Sequence, residues 1–178
     1  TNTKVSWCEV CKPMKEGGPG LQNLKLWNKA LSIRHIWDIY HKKDTLWIQW
    51  IHFYLLKNES FWAIQSKTNC SWWWMKLLRL RLVVRGYIKK VTGNDKQTFI
   101  WHDSWHPIGI LKYLYSPQLL KLLGVSENSK VSAIIKKGNW NWPMGRCQRS
   151  ELTQLIDATL TSSYFLSLAE TNDYAVWN

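Results

Sequence analysis

Three consecutive tryptophans, Trp72, Trp73 and Trp74, set the tightest limit on how this chain folds. Neighbours on a helix point about 100° apart, and neighbours on a strand point to opposite faces. No regular element therefore sends all three indoles into one core. At least one must sit in a second cluster or in solvent. The bias runs through the whole chain, which carries 14 Trp against 4 Phe. With 46% hydrophobic residues in 178, it has enough apolar material for one ordinary domain or two small ones. No stretch approaches the roughly 18 apolar residues of a membrane span.

Charge is as uneven as aromatic content. The net charge is +12, and nearly all of it lies in the first half. Residues 1–101 hold 17 Lys/Arg and 6 Asp/Glu, whereas residues 102–178 hold 7 and 6. A basic, aromatic-rich half suits phosphates and stacked bases; it equally suits a solvated face that keeps an oily domain soluble. The first residues lack the order of a signal peptide, and Thr1 is expected to lie within a longer polypeptide. Cys8, Cys11, Cys70 and Cys147 form no dense framework, so reduced thiols are expected.

Periodicity predicts a mainly α fold, a helical bundle with a short β-hairpin near residues 87–101. After a Gly/Pro-rich loop at 13–20, Leu24, Trp27, Leu31 and Ile36 or Trp37 recur at helical spacing over 21–40. Asp44 is the expected cap of a second helix, in which Leu46, Trp47, Trp50, Ile51, Tyr54 and Leu55 form a stripe meant for burial. Ser71 caps a third, with Trp74, Leu77, Leu78 and Leu82 on one side and Gly86 as its stop. Residues 87–92 and 97–101 flank Gly93-Asn94-Asp95 and read as a hairpin. Further helices are expected at 117–123, 130–137 and 150–161, with a turn or extended piece around 138–143. The texture change at Gly86 divides the chain into a basic, Trp-rich helical region, 1–86, and a hairpin with short helices, 87–178.

Little here looks catalytic. Cys8 and Cys11 have the spacing of half a zinc site, but no second close pair lies nearby; two ordinary cysteines beside a helix end explain them equally. His35, His41 and His52 fall on polar or mixed faces. Asp103 lies between His102 and His106 with no partner acid, nucleophile elbow or phosphate-cradling Gly loop nearby. A loop carboxylate bonded to backbone amides or an indole N–H accounts for it.

The motifs converge in order. Trp7-x-x-Val10-Cys11-x-Pro13-x-x-Glu16-Gly17-Gly18-Pro19-Gly20, then Asn28-Lys29-Ala30-Leu31 and Trp37, resemble the segment after the polymerase core of plant non-LTR (LINE-type) retrotransposon reverse transcriptases. Leu46-Trp47, Ser60-Phe61-Trp62, the Ser71–Leu78 stretch and the loop from Gly93-Asn94 to Trp101-His102-Asp103-Ser104-Trp105-His106-Pro107 are similar to the next stretches of that family, in the same order. Residues 131–143 look like the approach to its C-terminal zinc-binding region. Pro19 departs from the family's Gly-Gly-Leu-Gly, Trp73 stands where a small or polar residue is usual, and Cys8 is outside the pattern. The aromatic-Ala-Asp-Asp turn that holds Mg²⁺ in the family does not occur in this sequence.

The resemblance implies a thumb-to-linker segment, inactive as a polymerase alone. The catalytic regions are expected before Thr1 and the zinc cluster after Asn178. It implies no cofactor in this chain, with Mg²⁺ in the parent polymerase. It also implies RNA or RNA/DNA duplex and the rest of the polyprotein as partners, no membrane, and a place in the nucleus or cytoplasm. Expected nucleic-acid contacts are Lys25, Lys29, Arg34, Lys42, Lys43, Trp73, Lys76, Arg79, Arg81, Arg85, Lys89 and Lys90. Trp72 and Trp74 are expected to pack, leaving Trp73 either free to stack on a base beside Lys76 or Arg79 or a drifted residue of a decaying element. The competing readings are a Trp-rich protein–protein module, a small zinc-dependent domain, and an inert remnant of a dead element.

Overall fold

The computed structural model describes residues 5–65, 70–91, 93, 96–116, 123–136, 139–142, 153, 157, 159 and 172–177. The elements run α1 (Trp7–Val10), α2 (Leu24–His41), α3 (Leu46–Trp50), α4 (Trp72–Val84), β1 (Ile88–Val91), α5 (Leu111–Leu114), β2 (Ile135–Lys136), β3 (Asn139–Trp140) and β4 (Tyr174–Trp177). The chain is mainly α with a small antiparallel sheet, as its periodicity predicts.

Side-chain caps set the helix starts. Asn23 accepts the amides of Lys25 and Leu26 at the head of α2, and Ser71 accepts that of Trp74 at the head of α4. At α3 the cap is Thr45, one residue beyond the expected Asp44. Thr45 is extended (φ −137°) and its hydroxyl accepts the Ile48 amide, while Asp44 takes the Gln49 side chain at 2.7 Å. α3 then widens into a π-helical stretch, Ile51–Leu56, which stops at Lys57 in the left-handed region (φ 47°). That change of pitch corrects the expected stripe. Ile48, Ile51 and Leu56 turn inward, and Leu46, Trp50 and Tyr54 stay exposed. Gly86 does not stop α4 through a left-handed cap. The helix tightens into a 3₁₀ turn, Arg85–Tyr87, that runs straight into β1.

β1 lies inside the predicted 87–101 stretch, but its partner comes from far along the chain. It pairs antiparallel with β4, with Ile88 opposite Trp177 and Lys90 opposite Ala175. Phe99 instead bridges to Lys130. The 130–137 helix is replaced by a 3₁₀ turn, Val131–Ile134, leading into β2, which pairs antiparallel with β3. The predicted helices at 117–123 and 150–161 fall almost wholly outside the described residues, as do Asn94 and Asp95.

Two apolar clusters form. The first joins Ile36, Ile39 and Tyr40 of α2 with Ile48, Ile51, Phe61, Trp62, Trp74, Leu77 and Leu78, and takes in Ile88 and Ala175. The second gathers Ile100, Trp101, Trp105, Leu111, Leu123, Val131, Ile134 and Trp142. Its indoles are fixed by hydrogen bonds: Trp101 donates to the Ser126 carbonyl and Trp105 to that of Ile100, both at 2.9 Å. Only the second half of α2 is buried. Leu24, Trp27 and Leu31, expected on its inner face, are exposed among the described residues. On α4, Leu82 faces out and Val84 takes the inward place.

Candidate nucleic-acid interface

α2 and α4 lie side by side, and their exposed flanks form a groove of about 570 Å³. Lys25 and Lys29, one turn apart, line it from α2; Trp72, Lys76 and Arg79, at the same kind of spacing, line it from α4. Lys76 Nζ donates to Asn28 Oδ1 at 2.8 Å and sits 5.6 Å from the centre of the Trp72 indole. Among the described residues four cations thus face one channel, and no carboxylate lines it. Trp72 is 70% exposed there.

The triple tryptophan resolves differently from expectation. Trp74 is buried at 3% exposure. Trp73, expected to be free for a base, packs edge-on against His35 at 5.4 Å and Trp47 at 5.1 Å. The indole left in solvent is Trp72. Trp73 is the second residue of α4 and faces α2 and α3; Trp72 projects along the opposite flank, beside Lys76.

Of the other expected contacts, Arg34 and Lys89 are exposed but lie apart from the groove. Arg81 and Arg85 lie outside the groove and are engaged within the fold. Arg81 donates to the Phe61 carbonyl at 2.5 Å and stacks on the Phe61 ring. Arg85 donates to the Tyr113 hydroxyl at 2.5 Å and the His102 carbonyl at 2.8 Å, and its guanidinium lies against both the Trp62 and Tyr113 rings. Burial lowers the pKa of both guanidiniums. Lys42, Lys43 and Lys90 line a separate cavity between the two clusters.

Asp103 behaves as a structural carboxylate. It accepts the Phe99 amide at 2.8 Å and the Tyr40 hydroxyl at 3.0 Å. Burial raises its pKa, against the pull of Lys90. His102 and His106 are buried and depressed to about 4, chiefly by desolvation. Cys11 caps the short α1 beside Cys8. Among the described residues, no cluster of three or more His, Cys, Asp or Glu side chains could hold a metal ion, and no helix is long and apolar enough to cross a membrane.

Sequence reasoning missed Trp72, Asn28 and Met75 as groove residues. The i, i+4 and i+7 spacing of Trp72, Lys76 and Arg79 was the available signal; nothing local indicated that Lys25 and Lys29 would face them. The chain is 32% identical over 104 residues to an Arabidopsis thaliana protein described as "Putative ribonuclease H protein", a match covering 57% of this chain and 17% of that one. It is 27% identical over 103 residues to an "Uncharacterized mitochondrial protein" of the same plant, covering 57% and 66%. No family model matches, and no solved structure does. The chain is thus similar to plant proteins of a kind typical of retroelement-derived sequence.

Proposed function

We propose that this chain is a non-catalytic, nucleic-acid-gripping segment of a plant retroelement protein. In this reading it is the thumb-to-linker part of a reverse transcriptase, holding template RNA or an RNA/DNA duplex behind the polymerase site. The α2–α4 groove carries the proposal: Lys25, Lys29, Lys76 and Arg79 converge beside an exposed indole, with no opposing carboxylate among the described residues. Neutralised phosphates release counterions, so log affinity falls linearly with log salt. Trp72 adds a sequence-tolerant stacking platform. Mg²⁺ belongs, in this reading, to the parent's polymerase core, and no step here depends on it.

The test replaces Lys25, Lys29, Lys76 and Arg79 together by Gln and follows single-stranded RNA and RNA/DNA duplex binding by anisotropy across salt. Four lost phosphate contacts reduce the magnitude of the salt slope by roughly 3. An unchanged slope in a folded variant removes the groove from the interface. Arg81 and Arg85 are left intact, because replacing them would disturb packing as well as charge.

A second reading rests on the outer face of α3 and its π-helical extension, where Leu46, Trp50, Phe53 and Tyr54 are exposed together. Such a face suits docking on another part of the parent polyprotein. Nucleic-acid binding with no salt slope, alongside salt-insensitive binding to the upstream polyprotein segment, would favour this reading.

A further inference from the structure

Lys90 occupies an inward position on β1, a place that strand alternation normally gives to an apolar residue. It is 6% exposed. Its ammonium lies 4.8 Å from the centre of the Tyr40 ring and lines a cavity of about 250 Å³ between the two clusters. Among the described residues nothing accepts a hydrogen bond from it. The two nearby carboxylates attract its charge but spend their hydrogen bonds elsewhere. Asp103 is held by Tyr40 and Phe99, and Asp173 accepts the Gly93 and Gln97 amides and the Thr98 hydroxyl, each at 2.8 Å. Its three donors open onto the cavity, where an anion with acceptor oxygens can reach them.

Three further lysines meet the same space, the exposed Lys43 among them. Lys42, at the end of α2, and Lys130, beside Phe99, line the cavity with Lys90, and both Lys130 and Lys90 lower the pKa of Lys42, after burial itself. The fold thus holds four lysines around one hollow, with Lys42 repelled by Lys90 and Lys130. The carboxylates that line it are Asp103, held by Tyr40 and Phe99, Asp44, engaged by the Gln49 side chain, and Glu59, which is exposed. At about 250 Å³ the hollow is below the roughly 300–1,000 Å³ of sites for drug-sized ligands. It suits a compact anion with several acceptor oxygens.

We propose that this cavity is a phosphate site, in which Lys90 binds one phosphoryl group from within and Lys42 and Lys130 close on it from the mouth. Charge-assisted bonds from ammonium groups to phosphate oxygens are among the stronger polar contacts available to a protein. The phosphoryl group comes either from a free phosphate ester or from the end of a nucleic-acid strand. The site is separate from the α2–α4 groove, so it stands or falls without it.

The test uses the 178-residue chain and orthophosphate as the first probe. Its thermal midpoint is followed in phosphate and in chloride at matched ionic strength, with the wild type, Lys90→Met and Lys130→Ala. The expected result is a saturable, phosphate-specific rise in the wild type. Apparent affinity falls roughly tenfold or more in Lys90→Met and several-fold in Lys130→Ala. Lys130 is only half-buried, so Lys130→Ala decides the matter if Lys90→Met fails to fold. No phosphate-specific rise, or an equal rise in the wild type and every folded variant, overturns the proposal. Trinucleotides with and without a 5′-phosphate then separate the sources. Tighter binding of the phosphorylated strand than of orthophosphate assigns the site to a strand end; equal or weaker binding assigns it to a free phosphate.

Discussion

Trp72, Trp73 and Trp74 follow one another on the first turn of α4 and meet solvent, an aromatic cluster and the core in turn. The difference is measurable. Trp72→Ala should leave stability within about 0.5 kcal/mol, as surface substitutions do, and weaken single-stranded RNA binding by about 1–3 kcal/mol through lost stacking. Trp73→Ala should cost about 2–3 kcal/mol of stability, because the His35 and Trp47 edge contacts go with it. Urea unfolding and anisotropy on the same two variants check both; the reverse pattern would return Trp73 to the interface. That the three indoles part company was legible from spacing alone. Which one is left outside was not, because it depends on where α2 and α3 lie. His102 and His106 give a second residue-scale expectation. Both are buried; among the described residues Nε2 of each and His102 Nδ1 have no hydrogen-bond partner, although His102 Nε2 lies 3.6 Å from the Glu127 carboxylate, and both have a pKa lowered from 6.5 to about 4. The unfolded chain therefore takes up protons that the fold refuses. Stability is full above pH 6.5 and falls as pH drops toward 4, by up to about 3 kcal/mol for each histidine. Asp103, raised by burial, works in the opposite direction at the acid end. Urea midpoints that stay flat from neutral pH down to this range would show that these imidazoles are hydrated.

α4 and β1 are contiguous in sequence, joined only by the 3₁₀ turn at Arg85–Tyr87, yet they are held by different partners. α4 packs on α2, and β1 on β4, whose Trp177 stacks on Trp37 of α2 at 5.0 Å. β1 alternates in the way its Ile-Lys-Lys-Val pattern allows, with Ile88 and Lys90 inward and Lys89 outward. Ile88→Ala should therefore cost about 2–4 kcal/mol. Lys89→Ala should stay within about 0.5 kcal/mol. Thermal unfolding of the two variants distinguishes this register from one shifted by a residue, which would exchange the two effects. The strand itself was visible in its β-prone residues. Its partner was not: a Gly-Asn-Asp turn argues for the nearest strand, and tertiary packing brought a segment from more than 80 residues away. The same override explains α3. Helical spacing predicts a stripe from Leu46 to Leu55, and the π-helical stretch from Ile51 turns the buried face onto Ile48, Ile51 and Leu56. A change of helical pitch leaves no mark in a list of apolar positions.

The two clusters meet across a polar seam rather than an apolar one. Tyr40 reaches Asp103, Arg85 reaches the His102 carbonyl and Tyr113, and the Lys90 amide donates to the Ser104 carbonyl at 2.9 Å. A composition change at Gly86 marks where basic helix gives way to strand and loop, and it is plain in the sequence. The seam follows a different line, since Ile88 and Ala175 belong to the first cluster although both lie beyond residue 86. This has a direct consequence for dissection. A fragment of residues 1–86 would keep α2, α3 and α4 but lose Ile88, β4 and the acceptors of Arg85. Its half-buried guanidinium would then lack the His102 carbonyl and the Tyr113 hydroxyl. Circular dichroism of that fragment should show helix without a cooperative melt, and adding residues 87–178 in trans should restore one. A sharp, reversible transition in 1–86 alone would mean instead that the α2–α4 packing suffices. Strand β1 and the polar seam would then be attachments to an already folded helical unit, and the phosphate-sized cavity between the clusters would be a property of their docking rather than of either core.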